Sequence, residues 1–277
     1  VTVGAKRVPG VIAFKPVHLT EKGETERVAP AKDLVIDIGA ASKAEAERLV
    51  ARGDTACFLS EYVEPLPGSA WRTVQGKAFD DRAGCAIAAA LLAERFPFDL
   101  VVAFTVQEEV GLRGAKVAAF AERPDCAFAL DCTGANEVPV KRDLSPSTRL
   151  GAGPAITVMD ASFIADRRLV DLLDGTATRL GIPHQFKQPN VGGTDAGAIQ
   201  RAGDGVPSVT LAVPCRYIHS PAGILNLDDF DHALGDPREA RLEAALGYMV
   251  NGTCPAAAAG RSAVESGGAP LVREGTL

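Results

Sequence analysis

Along the first 66 residues, apolar positions come in short runs: GVIAFKP (10–16), DLVIDIGA (33–40) and ACFLSEYV (56–63). Polar stretches such as TEKGETERVAPAK (20–32) cut them apart. Runs of this length bounded by turn formers predict short strands. SKAEAERLVARG (42–53) breaks the pattern with helical spacing, and Ser42 stands where an N-cap belongs. Residues 1–66 therefore predict a small β-rich module, closed by the turn-forming PLPG at 65–68.

Beyond that point the pattern changes to long apolar runs alternating with amphipathic ones. A helix is predicted over 84–96 (GCAIAAALLAERF), then strands over 100–106 (LVVAFTV), 126–131 (CAFALD) and 155–159 (AITVM). A helix over 163–181, a glycine-rich loop NVGGTDAG (190–197), a strand over 207–213 (PSVTLAV) and a last helix within 228–249 follow. Continuous apolar strands alternating with helices predict an α/β domain over 67–250, with a mostly parallel central sheet covered by helices on both faces. In such sheets ligands gather beyond the carboxyl ends of the strands. Residues 251–277, rich in Ala, Gly, Ser and Pro, have no periodic apolar face and predict a disordered tail. The opening VTVGAKRVPGVIAFKP lacks Met and reads as the middle of a β-structure, which predicts further sequence upstream.

Composition narrows the partners. The net charge of −6 comes with no block of Lys and Arg, so a nucleic-acid footprint is not expected. The most apolar stretch, CAIAAALLA (85–93), is about half the length a bilayer needs. Six scattered cysteines without a CxxC pair, and no signal-peptide pattern, predict reduced thiols in the cytoplasm. Small or peptidic partners remain.

The polar residues fall in telling places. LVVAFTV runs into Glu108–Glu109, CAFALD ends on Asp131, Asp80–Asp81 precede a helix, and PSVTLAV leads to PCRYIHSP with His219. Buried carboxylates cost several kcal/mol each unless paired or bound to a cation. Carboxylates together with one imidazole suit zinc or cobalt rather than calcium. Adjacent residues on an extended chain point to opposite sides, so one carboxylate of the Glu pair can bind metal while the other faces an attacking water.

Each feature has a plain alternative. A Glu pair alone is usually a solvated loop, a pair of Asp before a helix is commonly a cap, and a lone histidine is more often structural. Joint placement at one end of one inferred sheet weighs against these. Asp195 in GGTDAG reads equally as a substrate contact, a support for the site or a plain turn residue. Arg216 reads as a partner for a carboxylate of the site or substrate, or as a surface ion pair. His18, His184 and His232 read as structural or surface residues. GAGPAI (151–156) begins like a dinucleotide loop but lacks the third glycine.

GKAFDDRAGCA, FTVQEEVGLRGA, ALDCTGA, GGTDAGAIQ and PCRYIHSP, in this order, resemble the dinuclear metalloaminopeptidases of the tetrahedral, glutamyl and deblocking type. The resemblance spans roughly residues 1–250. It implies a zinc-exopeptidase-like catalytic domain carrying a β-rich dimerisation module, two divalent metal ions, peptide substrates and a homo-oligomer built from dimers, up to a dodecamer. It also implies roles: Asp80 bridging two metals, Asp81 shaping the turn beside it, Glu108 the general base, Glu109 and His219 ligands of one metal, and Asp131 a ligand of the other. The family's further histidine ligand, in an H-x-D motif ahead of the β module, has no counterpart in this sequence. Full activity then depends on residues upstream of Val1; without them the second metal would be held poorly. Two rivals differ in class. A glycosidase with paired carboxylates would want aromatic platforms, and one Trp and three Tyr offer few. A non-catalytic relative would keep the fold for binding or assembly.

Overall fold

The structure, a computed structural model, describes residues 1–13, 15, 17–20, 28–68, 70–96, 98–137, 147–189, 192–236 and 240–241. The chain divides into two compact units, Val1–Ser60 and Glu61–Leu277.

In the first unit, β1 (Thr2–Val3) pairs antiparallel with β2 (Val8–Pro9) and with β5 (Ala56–Cys57), while β3 (Val11–Ile12) pairs antiparallel with β4 (Ile36–Asp37). The strands are shorter than the apolar runs that predict them. Val3 is the buried apolar side chain of this unit among the described residues, whereas Val11, Val35, Phe58 and Leu59 are exposed. Helix α1 (Lys43–Leu49) begins as its sequence predicts. Ser42 Oγ accepts the Glu45 N–H at 3.2 Å, and the Glu45 carboxylate reaches back to the Ala41 N–H at 2.9 Å. It stops before Val50, whose backbone is already extended.

The second unit is built on a six-stranded sheet. Its strands are β6 (Thr73–Gly76), β7 (Ala127–Gly134), β8 (Ala155–Thr157), β9 (Gln185–Phe186), β10 (Ser208–Arg216) and β11 (Gly223–Asn226). Strand β10 is the hub. It runs parallel to β7 from Ser208↔Ala127 to Cys215↔Gly134, and its other edge takes β8 and β11, both antiparallel. β6 is antiparallel to β11, and β9 parallel to β8.

The sheet is therefore mixed rather than mostly parallel. Apolar periodicity reports that a strand is buried on both faces, not which way its neighbours run. Strand β10 shows why the sequence misleads on this point. Val209, Leu211, Val213 and Cys215 enter the apolar core, and the intervening Ser208 and Thr210 are equally buried. Ser208 Oγ donates to the Val206 carbonyl and Thr210 Oγ1 pairs with Thr194 Oγ1, so burial leaves neither hydroxyl orphaned.

Helices α2 (Phe79–Leu91), α4 (Arg167–Leu180) and α6 (Leu227–Leu234) supply the rest of the core through Ala83, Ile87 and Leu91, through Leu169, Val170 and Leu173, and through Ala233. Helix α4 starts later than predicted because Asp166 caps it, accepting the Arg168 N–H at 2.9 Å. Two further helices, α3 (Arg113–Glu122) and α5 (Ala196–Ile199), follow the glutamate pair and the GGTDAG loop. The last predicted helix is seen as α6, while 242–250 and the predicted tail, 251–277, lie outside the described residues.

A second expectation fails at 100–106. This run joins no sheet among the described residues, and Val101, Phe104 and Val106 are half or more exposed. Its apolar, β-branched composition fits a buried strand, but among the described residues no ladder partner lies beside it.

Candidate metal centre

Each acidic residue of the site is set by a local feature. Asp80 and Asp81 open α2 with non-helical backbone, and the peptide between them is cis. Asp81 Oδ1 accepts the Gly84 N–H at 2.9 Å. Gly84 is required there: a Cβ would stand 2.4 Å from Asp81 Oδ2 and 2.7 Å from the Leu130 carbonyl oxygen, so α2 rests against β7 only without a side chain. Asp131 lies on β7 opposite Ala212 of β10 and accepts the Cys132 N–H at 2.7 Å. It is in mid-strand, not at the strand end as the sequence predicts, because pairing with β10 continues to Gly134.

The glutamate pair also departs from expectation. Glu108 and Glu109 sit on a 3₁₀ turn, Glu108–Val110, entered through Gln107 in the left-handed region. The turn, rather than alternation along a strand, separates the two carboxylates. Ala78, Gln107, Leu112, Tyr217 and His219 all have positive φ, between 55° and 61°. For non-glycine residues this conformation is costly and concentrates at functional loops. Here it flanks Asp80, both glutamates and His219.

These elements converge. His219 Nε2 lies 3.0 Å from Asp80 Oδ2 and 3.3 Å from Glu109 Oε2. Asp80, Glu109 and His219 form one triad, and Asp80, Asp81 and Asp131 a second, with ligand atoms in each within 4.8 Å of one another. Asp80 belongs to both.

The electrostatics show the cost of this crowding. Burial, then the charges of neighbouring carboxylates, push Asp81 up to about 8 despite its hydrogen bond from Gly84. Burial and then Asp195, Glu109 and Asp80 push Glu108 up to about 7. Burial raises Asp131 well above the usual carboxylate range, with Asp81, Asp80 and Glu108 adding to it, and Glu109 rises through burial and Asp80. On its own the cluster holds protons it would shed in water; divalent cations would take their place. Carboxylates with a single imidazole, sharing one carboxylate between two triads, are a donor set that fits two such ions of the zinc type.

The remaining predicted residues divide. Asp195, at the start of α5, accepts a hydrogen bond from Thr105 Oγ1, has its Oδ1 buried without a partner, and acts through its charge on Asp81 and Glu108. It belongs to the site. Arg216 turns away to Glu137, with Nη2 2.6 Å and Nε 2.8 Å from Oε1, and lies over the Trp71 ring at 5.7 Å. His184 pairs with Asp174 and with the Ile182 carbonyl, His18 lies exposed in the first unit, and His232 is on α6 beside Asp229. None of the three enters the cluster. The GAGP loop is no phosphate cradle, because the Asp229 carboxylate takes the N–H groups of Gly151 and Gly153, each at 2.7 Å.

Three supports escape sequence reading. Asp160 Oδ1 collects the Ser162 N–H, the Ser162 hydroxyl and the Phe163 N–H, while Thr194 links Asp160 Oδ2 to Thr210. Together they fix the loop that carries Asp195. Lys187, just after β9, is 6% exposed, and the charge of Asp131 acts on it. No spacing rule marks any of them.

A helix-flanked mixed sheet with a carboxylate–imidazole cluster built on β7 and the loops around it is a zinc-exopeptidase-like α/β fold. The model of the M42 glutamyl aminopeptidase family matches residues 1–235, and the chain belongs to that family. A putative aminopeptidase of Acetivibrio thermocellus is 40% identical over 220 residues, 79% of this chain and 64% of its own. Among solved structures, an aminopeptidase from the archaeon Desulfurococcus kamchatkensis superposes with a TM-score of 0.72 at 39% identity, covering 81% of this chain and 62% of that one. The Pyrococcus horikoshii TET1 peptidase, described as able to assemble into a tetrahedron or a large octahedral shell, gives 0.67 at 35% identity, covering 84% and 68%. The chain spans just under two thirds of the length of the curated relatives it matches.

Proposed function

We propose that this chain carries the catalytic centre of a metal-dependent aminopeptidase that removes N-terminal residues from peptides. The observation that carries the reading is the meeting of Asp80, Glu109 and His219 with Asp81 and Asp131 around one shared carboxylate. Asp80, Glu109 and His219 would hold one ion, and Asp80 and Asp131 a second, with Asp81 beside them. When bound, such ions supply Lewis-acid activation of water and of the scissile carbonyl.

Glu108 would do the proton work. It stands beside the two triads without belonging to either, so its carboxylate would stay free to take a proton from water and return it to the leaving amine. The acidic surroundings would also attract the ammonium of a peptide's free N-terminus, which accounts for trimming ends rather than cutting internally. Asp195, tied to Thr105, would raise the proton affinity of Glu108 through its charge. The β-rich module, 1–66, would serve assembly into a homo-oligomer, a reading supported by its exposed Val11, Val35, Phe58 and Leu59 and by the assemblies of the Pyrococcus relative.

The test is hydrolysis of aminoacyl p-nitroanilides by the metal-loaded protein, with N-acetylated counterparts as controls. Turnover of the free-amine substrates only, abolished by a chelator and restored by zinc or cobalt, supports the proposal. Equal cleavage of both, or turnover indifferent to chelation, overturns it.

A further inference from the structure

We propose that Thr105 is a positioning residue for Glu108: its hydroxyl, bonded to Asp195, holds the glutamate turn in register with the strand that leads to His219. The inference rests on the aminopeptidase reading above and adds the group that sets the base in place.

A general base works only from a fixed position, and a displacement of about 1 Å can cost about 10²-fold in rate. Regular structure does little to fix Glu108. It sits on the 3₁₀ turn Glu108–Val110, and the run that delivers it, 100–106, joins no sheet among the described residues. Local hydrogen bonds shape the turn: the Val106 carbonyl accepts the Gly114 N–H at 2.9 Å, and the Glu108 carbonyl accepts those of Gly111 and Leu112 at 3.0 and 2.9 Å. These tie the turn to the start of α3, not to the sheet. Helix α3 packs on α5 and buries Ala115 and Ala119, but apolar contact is non-directional and does not set a register.

Thr105 supplies the missing direction. Its Oγ1 donates to Asp195 Oδ2 across 90 positions of chain. Asp195 is itself held from behind: the Asp195 carbonyl accepts the N–H groups of Ala198 and Ile199, each at 3.0 Å, and its neighbour Thr194 pairs through Oγ1 with Thr210 Oγ1 of β10 at 2.8 Å. Strand β10 also leads to His219, so the base and a ligand of the first triad are referred to one buried strand. The other carboxylate oxygen, Asp195 Oδ1, is buried with no hydrogen-bond partner among the described residues. The Thr105 hydroxyl is then the donor that orients this side chain. Valine in its place would keep the shape and remove the donor.

The experiment measures metal content, kcat and KM on an aminoacyl p-nitroanilide, together with amide exchange, for the metal-loaded full chain and for Thr105→Val and Thr105→Ser. Thr105→Val should retain metal and KM, lose about 10- to 100-fold in kcat, and exchange faster at 106–111 while β7 and β10 exchange as in the parent. Thr105→Ser, which keeps the donor, should recover most of the turnover and the protection. A threonine that serves stability alone would lower the melting temperature with kcat per folded molecule unchanged, and that result overturns the proposal. So does a serine variant no better than the valine one. If the parent cleaves no anilide, the aminopeptidase reading fails and exchange alone decides the tether: faster exchange at 106–111 in Thr105→Val but not in Thr105→Ser upholds it, and unchanged exchange overturns it.

Discussion

His219 Nε2 lies 3.0 Å from Asp80 Oδ2, although 139 positions separate the two residues in the chain. Each is held by a different device: Asp80 by the irregular opening of α2 against β7, His219 by the left-handed turn that ends β10. Because Asp80 serves both triads and His219 only one, their removal should differ. Asp80→Ala should strip metal from the whole centre, whereas His219→Ala should weaken one ion selectively. Metal content per chain after dialysis checks this; equal losses from the two variants would separate Asp80 from its shared role.

Glu108 is no member of either triad, so its loss should leave the ions in place. Glu108→Gln should retain metal but lose about 10²- to 10⁴-fold in kcat, the usual worth of a positioned base. Substantial remaining turnover would remove it from that role.

Without metal, the crowded carboxylates tie stability to pH. The folded pKa values of Asp81, Glu108, Glu109 and Asp131 stand above the unfolded value of about 4, with Glu108 near 7 and Asp81 near 8. The folded state therefore binds more protons than the unfolded state between these limits. Their contribution to stability is fully present below about pH 4 and is lost as pH rises through 7 to 8. Thermal melts of the metal-free protein should move to lower temperature between pH 5 and pH 8.5. Added zinc should reverse the trend most strongly at the alkaline end, where it competes with fewer protons. A metal-free melting temperature that rises over this range would refute the assignment.

Asp229 should matter for folding alone. It is 1% exposed and satisfies the N–H groups of Gly151 and Gly153. Asp229→Ala would orphan both donors and cost on the order of 3 kcal/mol. Denaturant titration should show the loss, with kcat per folded molecule unchanged.

The sequence makes some of this site plain and hides the rest for physical reasons. Asp80–Asp81 and His219 are readable because each adjoins an apolar run that is buried, whereas the run before Glu108–Glu109 points to the pair by its composition alone. The placement of Asp131 in mid-strand is not, since CAFALD does not reveal that pairing with β10 continues to Gly134. The run 100–106 has the composition of a buried strand and is not one, because composition cannot supply a ladder partner. Arg216, His184 and Lys187 look alike as isolated polar residues. What distinguishes them is the ion pair of the first with Glu137, that of the second with Asp174, and the burial of the third where Asp160 and Asp131 act on it through their charge, which are facts of packing.

The run 100–106, which joins no sheet among the described residues, bears on heat tolerance. Asp131 and His219 depend on β7 and β10, whose ladder is long and buried, whereas Glu108 follows a segment tethered through Thr105 to Asp195 and through Val106 to Gly114. Local opening of that segment needs far less free energy than global unfolding. On warming, turnover should therefore be quenched while circular dichroism still reports native helix and strand, and amide exchange should be faster at 100–107 than along β7 and β10.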